Sequence, residues 1–181
     1  MRIVVFTVVG LLSMCATARA QESRAAVSVV TGGGTTYDDE GSLGSGWLAG
    51  AAIERVIFGT TRLQGSLEYL SHHRDIEYFG SSGGTTVVGV SLVHRFGRQR
   101  AQPYVLAGVT LGHHSGTNRY GDQSIKITST DGGFRFGAGV AVQAGKRFEI
   151  APEFRFDGFQ IDNDSAPAML PSFAVRVAVR L

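Results

Sequence analysis

The feature that most limits how this chain can fold is a period of two. From residue 27 to the end, apolar side chains alternate with small or polar ones in run after run, each closed by a polar or glycine-rich break. Alternation marks a strand with two unlike faces, and no stretch after the first 20 residues sustains the 3.6-residue period of a helix. Eight strands are predicted, over 27–33, 46–54, 62–70, 86–96, 104–112, 134–143, 148–157 and 173–181. The third is clear, with Leu63, Gly65, Leu67 and Tyr69 opposite Gln64, Ser66 and Glu68; the first two are blurred by Ala and Gly. Pro103 is expected at the first residue of the fifth, where its missing N–H costs no ladder bond. Twenty-five glycines, eleven phenylalanines and four prolines suit such a chain better than a helical one.

Residues 1–20 lie outside this pattern and read as a signal peptide: Arg2, an apolar run from Ile3 to Leu12, and Ala18 and Ala20 framing a cleavage site before Gln21. A membrane helix needs about 20 apolar residues, and Thr7 and Gly10 interrupt this run. Cys15 is the sole cysteine, and Met14 before it is a poor residue for lipid attachment to a cleaved cysteine. Residues 21–181 then form one domain. Without Arg2 and Arg19 it carries 15 basic against 15 acidic side chains, so it is formally neutral and its net charge is no argument for nucleic acid or an anionic surface. Having no cysteine, it must be held by packing, a closed sheet or lipid.

The breaks alternate in length. Long ones (35–45, 71–84, 113–133, 159–172) take turns with short ones (55–61, 97–102, 145–147), the asymmetry of a barrel with loops on one side of a membrane and turns on the other. A soluble barrel would alternate too, with its apolar face inward. The membrane form is favoured because the polar face is mostly Gly, Ala and Ser with a few ions of both signs, which suits a cramped lumen. The apolar face carries aromatics near strand ends, namely Trp47, Tyr69, Phe96, Phe148 and Phe173, where a girdle would meet headgroups. The expected fold is therefore all-β: a closed antiparallel up-and-down transmembrane β-barrel of about eight strands. Antiparallel counting from the tight turn at 145–147 sets Arg135 opposite Asp157, and counting on to the last strand sets Glu153 opposite Arg176 and Glu149 opposite Arg180, all facing inward.

Three stretches carry a resemblance: Gln102-Pro103-Tyr104-Val105-Leu106-Ala107-Gly108-Val109; the run from Gly137-Ala138-Gly139-Val140 through Gly145-Lys146-Arg147-Phe148 to Pro152-Glu153-Phe154-Arg155-Phe156; and the C-terminal strand. Together they resemble the eight-stranded outer-membrane β-barrel family of Gram-negative bacteria, including the opacity-protein, OmpX-like and OmpW-like groups. The resemblance implies an outer-membrane location with extracellular loops and periplasmic termini. It also implies outer-membrane lipid as surroundings and recognition of the C-terminal strand by the barrel assembly machinery. That strand usually ends in an aromatic, and here it ends in Leu181.

Candidates for chemistry are few. His72-His73 and His113-His114 sit where strands leave the barrel, and because neighbours on a strand point oppositely each pair offers one inward ligand, His72 and His114. A metal needs three or four converging ligands, so neither a metal nor a cofactor is expected. His113 and Ser115 share an outward face, but a catalytic histidine needs an orienting carboxylate, and Asp122 and Asp131 fall in the predicted loop. Lipid A deacylases, which this motif resembles, carry His-x-Ser on the penultimate strand, which here reads Glu153-Phe154-Arg155-Phe156-Asp157-Gly158. No enzymatic activity is expected. Asp38-Asp39-Glu40-Gly41 and Asp162-Asn163-Asp164 lack the periodicity of a calcium loop. Arg119, Tyr120 and Lys126 are available to an extracellular ligand. The expected function is a surface protein, structural or adhesive through its loops. The alternatives are a narrow passive, porin-like channel and, behind it, a lipid A-modifying enzyme.

Overall fold

The computed structural model describes residues 25–38, 41–76, 79–97, 100–120, 123–159 and 168–181. The expected signal peptide at 1–20, Asp39, Glu40, Asp122 and 162–164 lie outside the described residues. Eight antiparallel strands follow one another around a closed barrel: β1 (Ala25–Asp38), β2 (Gly41–Phe58), β3 (Thr61–Ile76), β4 (Phe79–Arg95), β5 (Ala101–Tyr120), β6 (Gln123–Gln143), β7 (Phe148–Phe159) and β8 (Ala168–Arg180), with β8 pairing back onto β1. The short turns β2–β3, β4–β5 and β6–β7 each contain one glycine in the left-handed region, Gly59, Gly97 and Gly145, a conformation a β-carbon would strain.

Register fixes the shape. Stepping across pairs from Val27 passes Ile53, Gly65, Val90, Val109, Phe134, Gly158 and Met169 and arrives at Tyr37, ten residues further along β1. A stagger of ten over eight strands tilts them by about 40° and leaves an interior that side chains fill.

The faces are as the alternation predicts. Val88, Val90 and Leu92 on β4, Val105, Val109 and Leu111 on β5, and Phe148, Ile150 and Phe154 on β7 all face outward, exposed. Glu54, Glu68, Arg95, Arg135, Glu153 and Arg176 are buried inside. A soluble barrel would reverse this distribution. Trp47 and Tyr69 mark the upper edge of the apolar wall, with rings 5.4 Å apart, and Phe96 and Phe148 mark its lower edge. Phe173 is a correction: two outward positions, Pro171 and Met169, lie beyond it on β8, so it sits within the wall.

Three other expectations are corrected. Three of the segments read as long loops, 35–45, 71–84 and 113–133, are largely strand in their described residues, and β5 and β6 reach 20 and 21 residues by pairing up to Tyr120 opposite Gln123. Residues 123–128 are exposed on both faces, so burial imposes no contrast of apolar and polar sides there. Pro103 is the third residue of β5, not the first; its neighbour β4 ends at Arg95, and its carbonyl accepts a hydrogen bond from the Phe96 N–H at 2.8 Å. Between β7 and β8 the register is displaced by two, so Arg176 opposes Ala151, and Glu149 opposes Ala178. The connection after Phe159 is too long to pin the pairing as a tight turn does. A shift of two leaves every face unchanged. Between β6 and β7, where the turn is tight, Arg135 opposes Asp157 as counted.

Candidate functional site

Two regions could carry function: the lumen, and the hairpins that rise beyond the apolar wall. The lumen is filled by ions. Arg135, fully buried, donates through Nε to Asp157 at 2.6 Å and through Nη1 to Glu68 at 3.0 Å and to the Ser66 hydroxyl at 3.0 Å. Arg155 donates to the same Glu68 oxygen at 2.6 Å, so one carboxylate ties β3 to β6 and β7 across the interior. Lower down, Arg95 holds Glu149 with two hydrogen bonds of 2.6 and 2.7 Å and reaches Glu54 at 3.1 Å; Arg62, Arg176 and Gln64 also contact Glu54.

Between these two clusters the Tyr104 hydroxyl donates to Glu153 at 2.5 Å, and the Arg176 guanidinium lies over the Tyr104 ring. Room for these side chains comes from inward glycines on β6. A β-carbon at Gly137 would meet the Phe154 carbonyl at 2.8 Å and the Arg155 chain at 3.0 Å, and one at Gly139 would meet Tyr104. The inward glycines that follow Arg135 on β6 are thus a packing device.

Above the ions an apolar layer closes the barrel: Val30, Leu48, Leu70, Val87, Phe159 and Leu170 are all buried. His72 and His114 point inward above it, as parity predicts. The His114 Nδ1 lies 2.9 Å from the Thr85 hydroxyl, its ring meets Phe159 edge-on, and its Nε2 is 3.7 Å from Asp131. Asp131 is therefore on β6 and faces inward, correcting its placement in a loop. Burial holds both imidazoles below their ordinary range; at His114 the Asp131 carboxylate opposes this more weakly. Both are thus neutral at pH 7.

The hairpins form the second region. A transmembrane strand needs about 9 to 11 residues, so β3 to β6 have several to spare, and they remain paired throughout as a four-stranded wall. Its outer face is built in rows. Thr86, His113 and Thr130 form one, directly above the apolar residues; His73, Ser82, Thr117 and Lys126 form another two steps higher. A polar cleft of about 250 Å³ opens near its top, lined by His73, Ser82, Thr117, Arg119 and Ser124 among others. Sequence reasoning singled out Arg119, Lys126 and both histidine pairs but not the wall that puts them on one surface. The β-branched residues Ile125, Ile127, Thr128 and Thr130 were the available signal.

His113 and Ser115 do share the outward face, but the His113 Nδ1 is engaged with the Thr130 hydroxyl at 2.8 Å, and Asp131 points to the other side of the sheet. Among the described residues, His113, Ser115 and Asp131 thus form no nucleophile, base and carboxylate in sequence of contact. On the apolar wall itself, Gly33 lies between Trp47 and Phe173 and leaves a shallow open notch there.

Known structures share this architecture. Neisserial surface protein A superposes with a TM-score of 0.68 at 16% identity, over 88% of this chain and 98% of that one. Ail, the attachment invasion locus protein of Yersinia pestis, gives 0.59 at 14% identity, over 89% and 100%. The outer membrane enzyme PagL gives 0.52 at 18% identity, over 84% and 99%. At such identities the likeness is one of fold. No curated protein matches the sequence. The family model described as outer membrane protein beta-barrel domain matches residues 4–173, nearly the whole chain, and with the closed eight-stranded barrel and its apolar outer wall this makes the chain a member of that bacterial outer-membrane family.

Proposed function

We propose that this protein is a surface protein of the outer membrane that works through the wall formed by β3 to β6, with the long hairpins outside the cell and the short turns and both termini in the periplasm. The observation that carries this reading is the continuity of the wall: cross-strand rows of histidine, hydroxyl and lysine side chains are held by paired backbone well beyond the apolar band. Backbone pairing pre-organises such a surface, so a ligand does not have to order it on binding. Neisserial surface protein A and the attachment invasion locus protein are, by their names, proteins of surface and attachment.

A passive channel is disfavoured by the lumen, where buried ion pairs and an apolar layer occupy the section. A catalytic role at His113 and Ser115 is disfavoured because Asp131, the described carboxylate weighed for it, points to the other side of the sheet. The test is a variant in which residues 117–126 are replaced by a two-residue turn, with β3 and β4 shortened to match. The expected result is a barrel that still migrates differently in gels before and after boiling while attachment to host cells or matrix is lost. Unchanged attachment would overturn the reading, as would discrete single-channel openings of the intact protein in a planar bilayer.

A further inference from the structure

The short-turn end of the barrel is cationic on its outside. Arg55 stands exposed on the lipid-facing side of β2, opposite Ala25 and Leu63, with Ile53 and Ile57 as its outward neighbours along the strand. Arg100 in the β4–β5 turn and Lys146 and Arg147 in the β6–β7 turn are exposed as well. The two turns are tied together: Arg100 donates through Nε to the Gln143 carbonyl at 3.0 Å, and the Gln143 N–H donates back to the Arg100 carbonyl at 2.9 Å. The Arg147 carbonyl accepts from the Arg180 N–H at 2.8 Å, which fixes the second turn to β8.

Among the described residues the carboxylate side chains at this end are Glu54 and Glu149, and both are turned into the lumen and taken by Arg62, Arg95, Arg176 and Arg180. The outer cations therefore have no described carboxylate side chain to neutralise them. Beside them, Phe58, Phe96 and Phe148 are exposed, and Phe58 at 83% has almost no protein contact at all. Cations with apolar stems next to aromatic rings at the edge of an apolar wall match a membrane interface, where rings sit among headgroups and long side chains reach the phosphates. Arg55 makes the point alone, because a charge on the lipid-facing wall is satisfied only where its guanidinium reaches phosphate or water.

We infer that the short-turn rim formed by Arg55, Arg100, Lys146 and Arg147 is a docking belt for anionic phospholipid headgroups of the adjoining leaflet. The inference concerns the lipid leaflet and holds whether or not the hairpin wall binds a partner. Its test uses the full barrel reconstituted in phosphatidylcholine vesicles with a trace of spin-labelled phosphatidylglycerol or spin-labelled phosphatidylcholine, which reports the relative association of each lipid with the protein.

A cation near an anionic surface contributes roughly a fivefold preference, so with partial engagement the intact protein should favour phosphatidylglycerol about threefold or more. The preference should fall as salt is raised, and should drop by about half or more in the R100Q/K146Q/R147Q triple variant, which retains Arg55, while K126Q, at the other end, leaves it unchanged. Equal association of the two lipids with the intact protein, or a preference undiminished in the triple variant, overturns the inference. Should the triple variant fail to fold, R55Q and the salt titration of the intact barrel decide: a preference insensitive to both would sink the idea.

Discussion

Replacing Glu68 by glutamine should destabilise the folded barrel by about 3 to 5 kcal/mol, among the largest effects expected of any single substitution in the lumen. Glu68 accepts from Arg135 at 3.0 and 3.3 Å and from Arg155 at 2.6 Å, and all three side chains are nearly or completely inaccessible. A neutral amide in that place leaves two guanidiniums facing each other across a space that water does not reach, and the cost is that of uncompensated buried charge. The pairwise part is measured by a cycle of Glu68→Gln, Arg135→Gln and the double variant in a reversible unfolding assay. The double variant should recover part of the loss, with coupling well above 1 kcal/mol, because it removes one of the two guanidiniums that Glu68→Gln leaves without their shared carboxylate. Additive effects within a few tenths would place these ions in water.

Glu153 and Arg176 are a useful contrast. Counting along the sequence put them opposite each other, and they face the same lumen, but the displaced register leaves them 3.9 Å apart at their nearest atoms. Glu153 is instead held by the Tyr104 hydroxyl and lies 3.2 Å from the Arg155 Nε. Their coupling should be smaller than that of Glu68 with Arg135.

This contrast also shows what the sequence made legible. Which face a residue occupies follows from parity alone, so the inward ions, the inward His72 and His114 and the outward aromatics could all be read from the chain. Which residue a side chain meets depends on register, and register is legible only where a turn is short. Between β6 and β7 it is, and Arg135 opposes Asp157; across the connection after Phe159 it is not. The bridges through Glu68 were beyond reach for another reason: they cross the barrel from β3 to β6 and β7, and no local pattern encodes a contact made through the lumen. The hairpin wall escaped notice because strand pattern is a record of unequal faces, and a strand with water on both sides leaves none.

The outer wall gives the second large effect, and it separates a membrane barrel from a soluble one on a single strand. Val109 is 67% exposed on β5, between outward-facing Val90 of β4 and Phe134 of β6. In water an arginine at so open a position would change stability by no more than about 0.5 kcal/mol, because nothing is displaced and the charge stays solvated. In a bilayer the same substitution puts a guanidinium among acyl chains, and Val109→Arg should cost about 2 to 4 kcal/mol in a barrel folded into vesicles. Ser115 is the internal control. It lies six residues further along the same face of the same strand, beyond the last apolar outward residue Leu111 and in the row with Gly84 and Thr128. Ser115→Arg should cost about 1 kcal/mol or less, since the wall there has passed out of the hydrocarbon. The difference between the two sites, measured by urea unfolding from the same vesicles, is therefore the quantity to compare. Equal and small costs at both would mean that Val109 does not face lipid, and equal and large costs would mean that the apolar zone extends up the hairpin wall as far as Ser115.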